Sequence, residues 1–222
     1  MEYQTETLPN GTPVYTTQSH RVTTDSLLLT AFCPVHRRHS ACDLGAGTGL
    51  ILLGLVDRGL AGRAVGVEQY PDAAALLQKA AQDAGLANVA AHTGDLREYT
   101  CGRPFDLVVS NPPYFTEGQA SPQAARAAAR HAAGDFLPAL CAAAHRLLKD
   151  SGSFCLCWPP ARLAPLLAAL QGQNLAPKRL QLVRKGPAAA PWLALLDARK
   201  AGGEGLAILP DHILPPGQQV RY

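Results

Sequence analysis

From about residue 40 the chain alternates short apolar runs with longer stretches at helical spacing, and this alternation restricts the fold more than any other feature. Ala41-Cys42-Asp43-Leu44 ends in a glycine loop, and Thr48 to Arg58 follows with helical periodicity. Ala64-Val65-Gly66-Val67-Glu68 is a second apolar run. Pro71 then stands where the first turn of a helix tolerates proline, ahead of an Ala-rich segment to Ala84. Further strands are predicted near Val89-Ala90-Ala91, at Phe105 to Ser110, at Gly152 to Trp158, and over residues 178–184 and 192–198. Phe136 to Leu148 reads as a helix, and another, complicated by Pro165, precedes the sixth strand. Strands that alternate with helices pair in parallel through crossover connections. The expected fold is therefore α/β: a doubly wound, mostly parallel, seven-stranded sheet with helices on both faces.

Residues 1–39 break this rhythm. Pro9-Asn10-Gly11-Thr12 places an Asn-Gly turn between two segments rich in Thr and Tyr, which predicts a hairpin. Thr24-Asp25-Ser26 then precedes the apolar run Leu27 to Phe32 as a capped helix start would. Residues 1–39 are expected to pack as hairpin and helix on a core formed by 40–222, in one structural unit. With 222 residues, 47% of them hydrophobic and 17% charged, the chain can bury such a core.

Several function classes drop out on composition. The apolar stretches are broken by Gly, Pro or charge well short of the roughly 18 residues a membrane span needs. Met1-Glu2-Tyr3-Gln4 lacks the basic and apolar character of a leader. A cytoplasmic protein is expected. The six cysteines are scattered, with Cys155-Leu156-Cys157 the one close pair, so they read as buried thiols, and no metal is expected. A net charge of +3 permits a nucleic-acid partner without demanding one.

The chemistry concentrates where predicted strands end. Asp43-Leu44-Gly45-Ala46-Gly47-Thr48-Gly49-Leu50 follows a strand and opens a helix, the context of a nucleotide-binding loop. Leu50 breaks the dinucleotide fingerprint, and no Gly-Lys-Ser/Thr is present for a phosphate loop. Asp43 would repel a pyrophosphate but attract an ammonium group. Glu68 closes the next strand, placed to accept both hydroxyls of a ribose. Asp95, in Thr93-Gly94-Asp95-Leu96, offers an acid for an adenine amino group after the third. Each acid alone could simply cap a helix, but together they describe an adenosine carrying an ammonium-bearing tail. S-adenosylmethionine fits that description. At the end of the fourth strand stands Asn111-Pro112-Pro113-Tyr114. Proline removes a backbone donor and fixes φ, so this segment leaves the strand as a stiff loop.

These motifs resemble those of the class I methyltransferases that modify exocyclic amino groups. Arg21 to Leu29 and Ser121-Pro122-Gln123-Ala124-Ala125-Arg126 are similar to the bacterial tRNA adenine-N6 methyltransferase family acting beside the anticodon of a valine tRNA. The resemblance runs from about Gln18 to Arg184 and fades in the Ala/Pro-rich tail beyond Gly186. It implies that Asn111 and the carbonyl of Pro112 accept the two hydrogens of the acceptor amine, that Pro113 stiffens the loop, and that Tyr114 stacks on the base. It also implies a cofactor set of Asp43, Gly45, Ala46, Gly47, Gly49, Glu68, Gln69, Asp95, Leu96 and Asn111. Asp25, Tyr114, Phe115, Arg126 and Arg130 would face the substrate, and the partners would be S-adenosylmethionine and tRNA, with the protein a monomer or weak homodimer.

Three other readings stay open on the sequence. Release-factor glutamine methyltransferases share the Asn-Pro-Pro-Tyr loop, ribosomal-RNA guanine-N2 enzymes are a nearer rival, and a non-catalytic module could retain the fold. The basic runs His36-Arg37-Arg38-His39, Arg126 to His131, Lys178-Arg179 and Arg184-Lys185 read either as a phosphate track or as solvated faces.

Overall fold

The computed structural model describes residues 2–18, 20–112, 136–218 and 220. Strands β1 (Gln4–Thr7) and β2 (Pro13–Thr16) pair antiparallel across the Asn10-Gly11 turn, where Gly11 takes φ 98°. Helix α1 (Thr24–Phe32) starts earlier than the sequence suggested. Thr23 is its N-cap, its Oγ1 accepting the Ser26 amide at 3.3 Å, so Thr24-Asp25-Ser26 form the first turn instead of preceding it.

The core then runs as expected: β3 (Ala41–Leu44), α2 (Leu50–Asp57), β4 (Ala64–Glu68), α3 (Pro71–Asp83), β5 (Val89–Thr93), β6 (Phe105–Ser110), α4 (residues 136–147), β7 (Leu148–Trp158), α5 (Leu163–Gly172), β8 (Leu175–Arg184) and β9 (Leu193–Lys200). Pro165 falls at the third position of α5, where a missing amide proton breaks no helical bond. The sheet order is β5-β4-β3-β6-β7-β9-β8. Only β9 is antiparallel to its neighbours, turning back from β8 to insert between β8 and β7. To these seven strands the tail adds two: β10 (Ala207–Ile208) and β11 (His212–Ile213) pair in parallel with the outer edge of β8. Pro210, between them, separates the two short pairings.

Both faces of the sheet are covered. On one, α1, α2 and α3 pack Leu28, Leu29, Leu52, Leu53 and Leu77 together with Val14 and Tyr15 of the hairpin. On the other, α4 and α5 pack Leu140, Leu147, Leu166 and Leu170 over Phe105 and Phe154. The hairpin therefore shares the first core, and its turn is tied to α2 by the Asn10 amide, which donates to Asp57 at 3.0 Å. Among the described residues no helix is long and apolar enough to cross a membrane.

Leu77 occupies the space two glycines leave open. A Cβ at Gly49 would stand 2.2 Å from its Cδ1, and one at Gly66 would stand 2.4 Å from its Cδ2. Gly66→Ala is expected to destabilise the protein by about 1–3 kcal/mol through overpacking. In a Leu77→Ala background the same change should cost distinctly less. Urea denaturation of the four variants measures this, and equal costs in both backgrounds would show that Leu77 is not the obstacle.

Candidate active site

Four parallel strands set the site's geometry. Leu44 of β3 lies opposite Val67 of β4, Glu68 opposite Thr93 of β5, and Asp43 opposite Val109 of β6. The glycine loop, Glu68, Asp95 and Asn111, each at or just past a strand's carboxyl end, are therefore brought to one rim of the sheet. Ser110 reinforces it: its Oγ donates to the Leu44 carbonyl at 2.7 Å, joining β6 to β3 where Asn111 and Gly45 depart.

The loop is shaped by backbone conformation. Gly45, Gly47 and Gly49 take φ of 77°, 55° and 89°, a region L side chains rarely adopt. The Gly45 and Ala46 amides donate to the Val67 carbonyl at 2.9 and 3.1 Å. Glu68, buried at 5% exposure, accepts the Gly47 amide on one carboxylate oxygen at 2.8 Å and the Tyr70 amide on the other at 2.9 Å. A carboxylate offers about four acceptor sites, so two hydroxyl donors can still be accommodated. Gln69 follows it at the surface.

Asp43 lies beneath this loop, 1% exposed, and neither of its carboxylate oxygens makes a well-formed hydrogen bond among the described residues. Burial pushes its pKa up to about 8, the charge of Glu68 adds to the rise, and the Leu52 amide offsets part of it. A buried acid in this position lacks a cation, and a ligand ammonium would supply one. The donor and acceptor set thus suits a ribose bound at Glu68 with an ammonium group near Asp43.

The remaining assigned residues divide. Asp95 is held by Arg97, whose Nε lies 2.9 and 3.0 Å from its two oxygens, and this bonding keeps the carboxyl below its ordinary pKa. The pair is exposed and so weak enough for an adenine amine to compete with it. The Leu96 carbonyl accepts from Arg146 at 3.0 Å, fixing the segment that follows β5. Asp25 lines an open groove of about 390 Å³ with Thr24, Lys185, Trp192 and residues 214–218. Asn111 sits partly buried at the rim, its Nδ2 donating to Ser26 Oγ at 2.9 Å and its Oδ1 accepting from Cys157 Sγ at 2.9 Å. Pro112 is buried beside it. Pro113, Tyr114, Phe115, Arg126 and Arg130 lie outside the described residues.

Among the described residues the basic runs do not form a single track, and Arg126 to His131 lies outside them. His36-Arg37-Arg38-His39 precedes the amino end of β3, across the strand's length (roughly 13 Å) from the glycine loop. Arg179 is spent on buried Asp197 at 2.9 Å, Lys178 on the Glu204 carbonyl at 3.0 Å, and Arg184 on Asp211 and the Ala189 carbonyl. These cations fasten β8 to its neighbours, which removes them from a phosphate path. Lys185 alone of that pair of runs faces the groove.

Four residues at the site escaped the sequence reading. Ser26 and Cys157 hold Asn111 from elements 85 and 46 positions away. His20 packs against the loop, its Cδ2 3.1 Å from where a Gly47 Cβ would stand, and meets the ring of Tyr70 edge-on at 6.4 Å. Only the position of Ser26 within a helix start and of Tyr70 just after Glu68 could have signalled them.

The family model described as methyltransferase small domain matches residues 12–161. An Aeromonas hydrophila protein named tRNA1(Val) (adenine(37)-N6)-methyltransferase is 36% identical over 149 residues, 66% of this chain and 63% of that protein. A Yersinia pestis protein of the same name is 33% identical over 192 residues, 83% of this chain and 76% of its own length. Among solved structures, a predicted O-methyltransferase from Agrobacterium tumefaciens superposes with TM-score 0.70 at 19% identity, covering 90% of this chain and 92% of that one. The Thermus thermophilus 16S rRNA N2 G1207 methyltransferase, solved with AdoMet and guanosine, superposes with TM-score 0.62 at 23% identity, covering 90% of this chain and 50% of that one. At those identities the structures share the fold.

Asp43 gives a test that needs no ligand. Between its ordinary pKa of 3.8 and about 8, the folded chain holds a proton that the unfolded chain has lost. Folding then takes up a proton, so stability falls as pH rises through that window. Asp43→Asn should remove this slope. The stability difference, variant minus wild type, is expected to grow between pH 5 and pH 8, by up to about 1.4 kcal/mol per unit. Urea denaturation at three pH values measures it, and a constant difference would mean that Asp43 titrates as an ordinary carboxylate.

Proposed function

The chain belongs to the methyltransferase small domain family, and we propose that it transfers a methyl group from S-adenosylmethionine to the N6 amine of an adenine beside the anticodon of a tRNA. The observation that carries this reading is the placement of Asn111 at the same rim as the glycine loop, Glu68 and the unpartnered buried acid Asp43. The names of the Aeromonas and Yersinia relatives support the choice of acceptor.

When bound, S-adenosylmethionine supplies a sulfonium methyl group open to displacement by an amine. Everything else is the chain's own work. Glu68 would accept the ribose hydroxyls from a position that Gly47 and Tyr70 already fix by holding its two oxygens. An ammonium group beside Asp43 would supply the charge partner its burial denies it and would favour the ionised carboxylate. Asn111 Oδ1 and the Pro112 carbonyl accept the two hydrogens of the acceptor amine. An adenine N6 lone pair is delocalised into the ring, and drawing both hydrogens to fixed acceptors frees it toward tetrahedral geometry. Because those acceptors sit on a stiff segment at a strand end, the amine is presented in near-attack geometry with little freedom left to lose. Asn111 thus acts mainly in the transition state.

The experiment pairs product identity with one variant. Labelled cofactor is incubated with the protein and with total tRNA, ribosomal RNA and release factors from cells lacking the gene, and the products are digested and identified. N6-methyladenosine in tRNA is the expected product, whereas N2-methylguanosine, methylglutamine or no label would refute the assignment. Asn111→Ala should lower turnover by about a hundredfold or more while cofactor affinity stays within about twofold. Full activity in that variant would refute the role given to the loop.

A further inference from the structure

We infer that Ser26 and Cys157 are positioning residues that fix the orientation of the Asn111 amide, so that the N-terminal helix forms part of the transfer machinery. The inference rests on the reading of Asn111 above and goes beyond it to residues on two other elements.

An asparagine amide presents an acceptor on one side and a donor on the other, and rotating it by half a turn about its last bond exchanges them. For Asn111 the exchange would be ruinous: an NH2 turned toward an acceptor amine sets donor against donor. Two neighbours favour the orientation seen. Ser26 Oγ accepts from Nδ2 at 2.9 Å and is itself held in place by the Thr23 hydroxyl at 2.9 Å. On the other side the Cys157 thiol donates to Oδ1 at 2.9 Å. A carbonyl oxygen has two acceptor positions, so the thiol's bond does not of itself exclude one from an acceptor amine.

Both neighbours are themselves rigid. Ser26 is 8% exposed in the first turn of α1, its amide bonded to the Thr23 cap and its carbonyl receiving the Thr30 hydroxyl at 2.7 Å. Cys157 is fully buried in β7, whose residues pair with β6 on one side and β9 on the other. A sulfur at this place is short enough to pack and still donates, a combination alanine or valine would lose.

The test measures methyl transfer to total tRNA, cofactor affinity by calorimetry and thermal unfolding for Ser26→Ala, Cys157→Ala and Cys157→Ser, with Asn111→Ala alongside. Ser26→Ala is expected to lower kcat about tenfold, with cofactor Kd within about twofold of wild type. Cys157→Ala should lower kcat several-fold and Cys157→Ser, which restores a donor, should recover most of that loss. If Ser26→Ala does not fold, the two Cys157 variants decide the matter alone. The proposal is overturned if Ser26→Ala and Cys157→Ala keep kcat within about twofold, if Cys157→Ser is as slow as Cys157→Ala, or if kcat and cofactor affinity fall together. A fully active Asn111→Ala variant would instead overturn the reading of Asn111 on which the proposal stands.

Discussion

Glu68 holds the site in shape. Its two oxygens receive amides from two different segments, Gly47 in the loop after β3 and Tyr70 at the entry to α3. Charge-assisted bonds of this kind, shielded from water, are among the stronger ones a protein forms. They set the curvature of the glycine loop, and the loop in turn sets where α2 begins and how deeply Asp43 is covered. A carboxylate that binds the protein before it binds a ligand is also a preorganised acceptor, since its position costs nothing further when hydroxyls arrive.

The two halves of the site are built on different scales. The proposed cofactor half is local: strand, loop and helix supply Asp43, the glycines and Glu68 within about one βαβ unit. The acceptor half is assembled from distant parts of the chain, with Asn111 from the end of β6, Ser26 from α1 and Cys157 from β7. The hairpin and α1 share the core of the sheet's one face, and α1 is pressed against α2 there. That packing fixes the height at which Ser26 meets Asn111. The role proposed for Asn111 would therefore couple turnover to the stability of the first forty residues.

Much of this was legible in the sequence because local rules governed it. Period and proline placement located the seven main strands, and the acids at successive strand ends pointed to S-adenosylmethionine, the cofactor the methyltransferase family implies. The antiparallel insertion of β9 was not legible, because Leu193 to Lys200 carries the same apolar pattern whichever neighbour it pairs with. The tail strands β10 and β11 are two residues long, too short for any periodicity. Arg179 and Arg184 looked like free cations only because Asp197 and Asp211, which neutralise them, lie 18 and 27 positions on. Cys157 read as an inert buried thiol, and buried it is; its bond to Asn111 depends on strand order, which spacing along the chain does not encode.

The central claim is that the rim of β3, β4 and β6 binds S-adenosylmethionine through Glu68 and Asp43 and presents Asn111 to an amine. A crystal structure with S-adenosylhomocysteine tests it most directly. The account predicts both ribose hydroxyls within hydrogen-bond distance of Glu68, the ligand ammonium on the side of Asp43, and Asn111 still bonded to Ser26. A ligand bound elsewhere, or bound here with Glu68 displaced from Gly47, would contradict it.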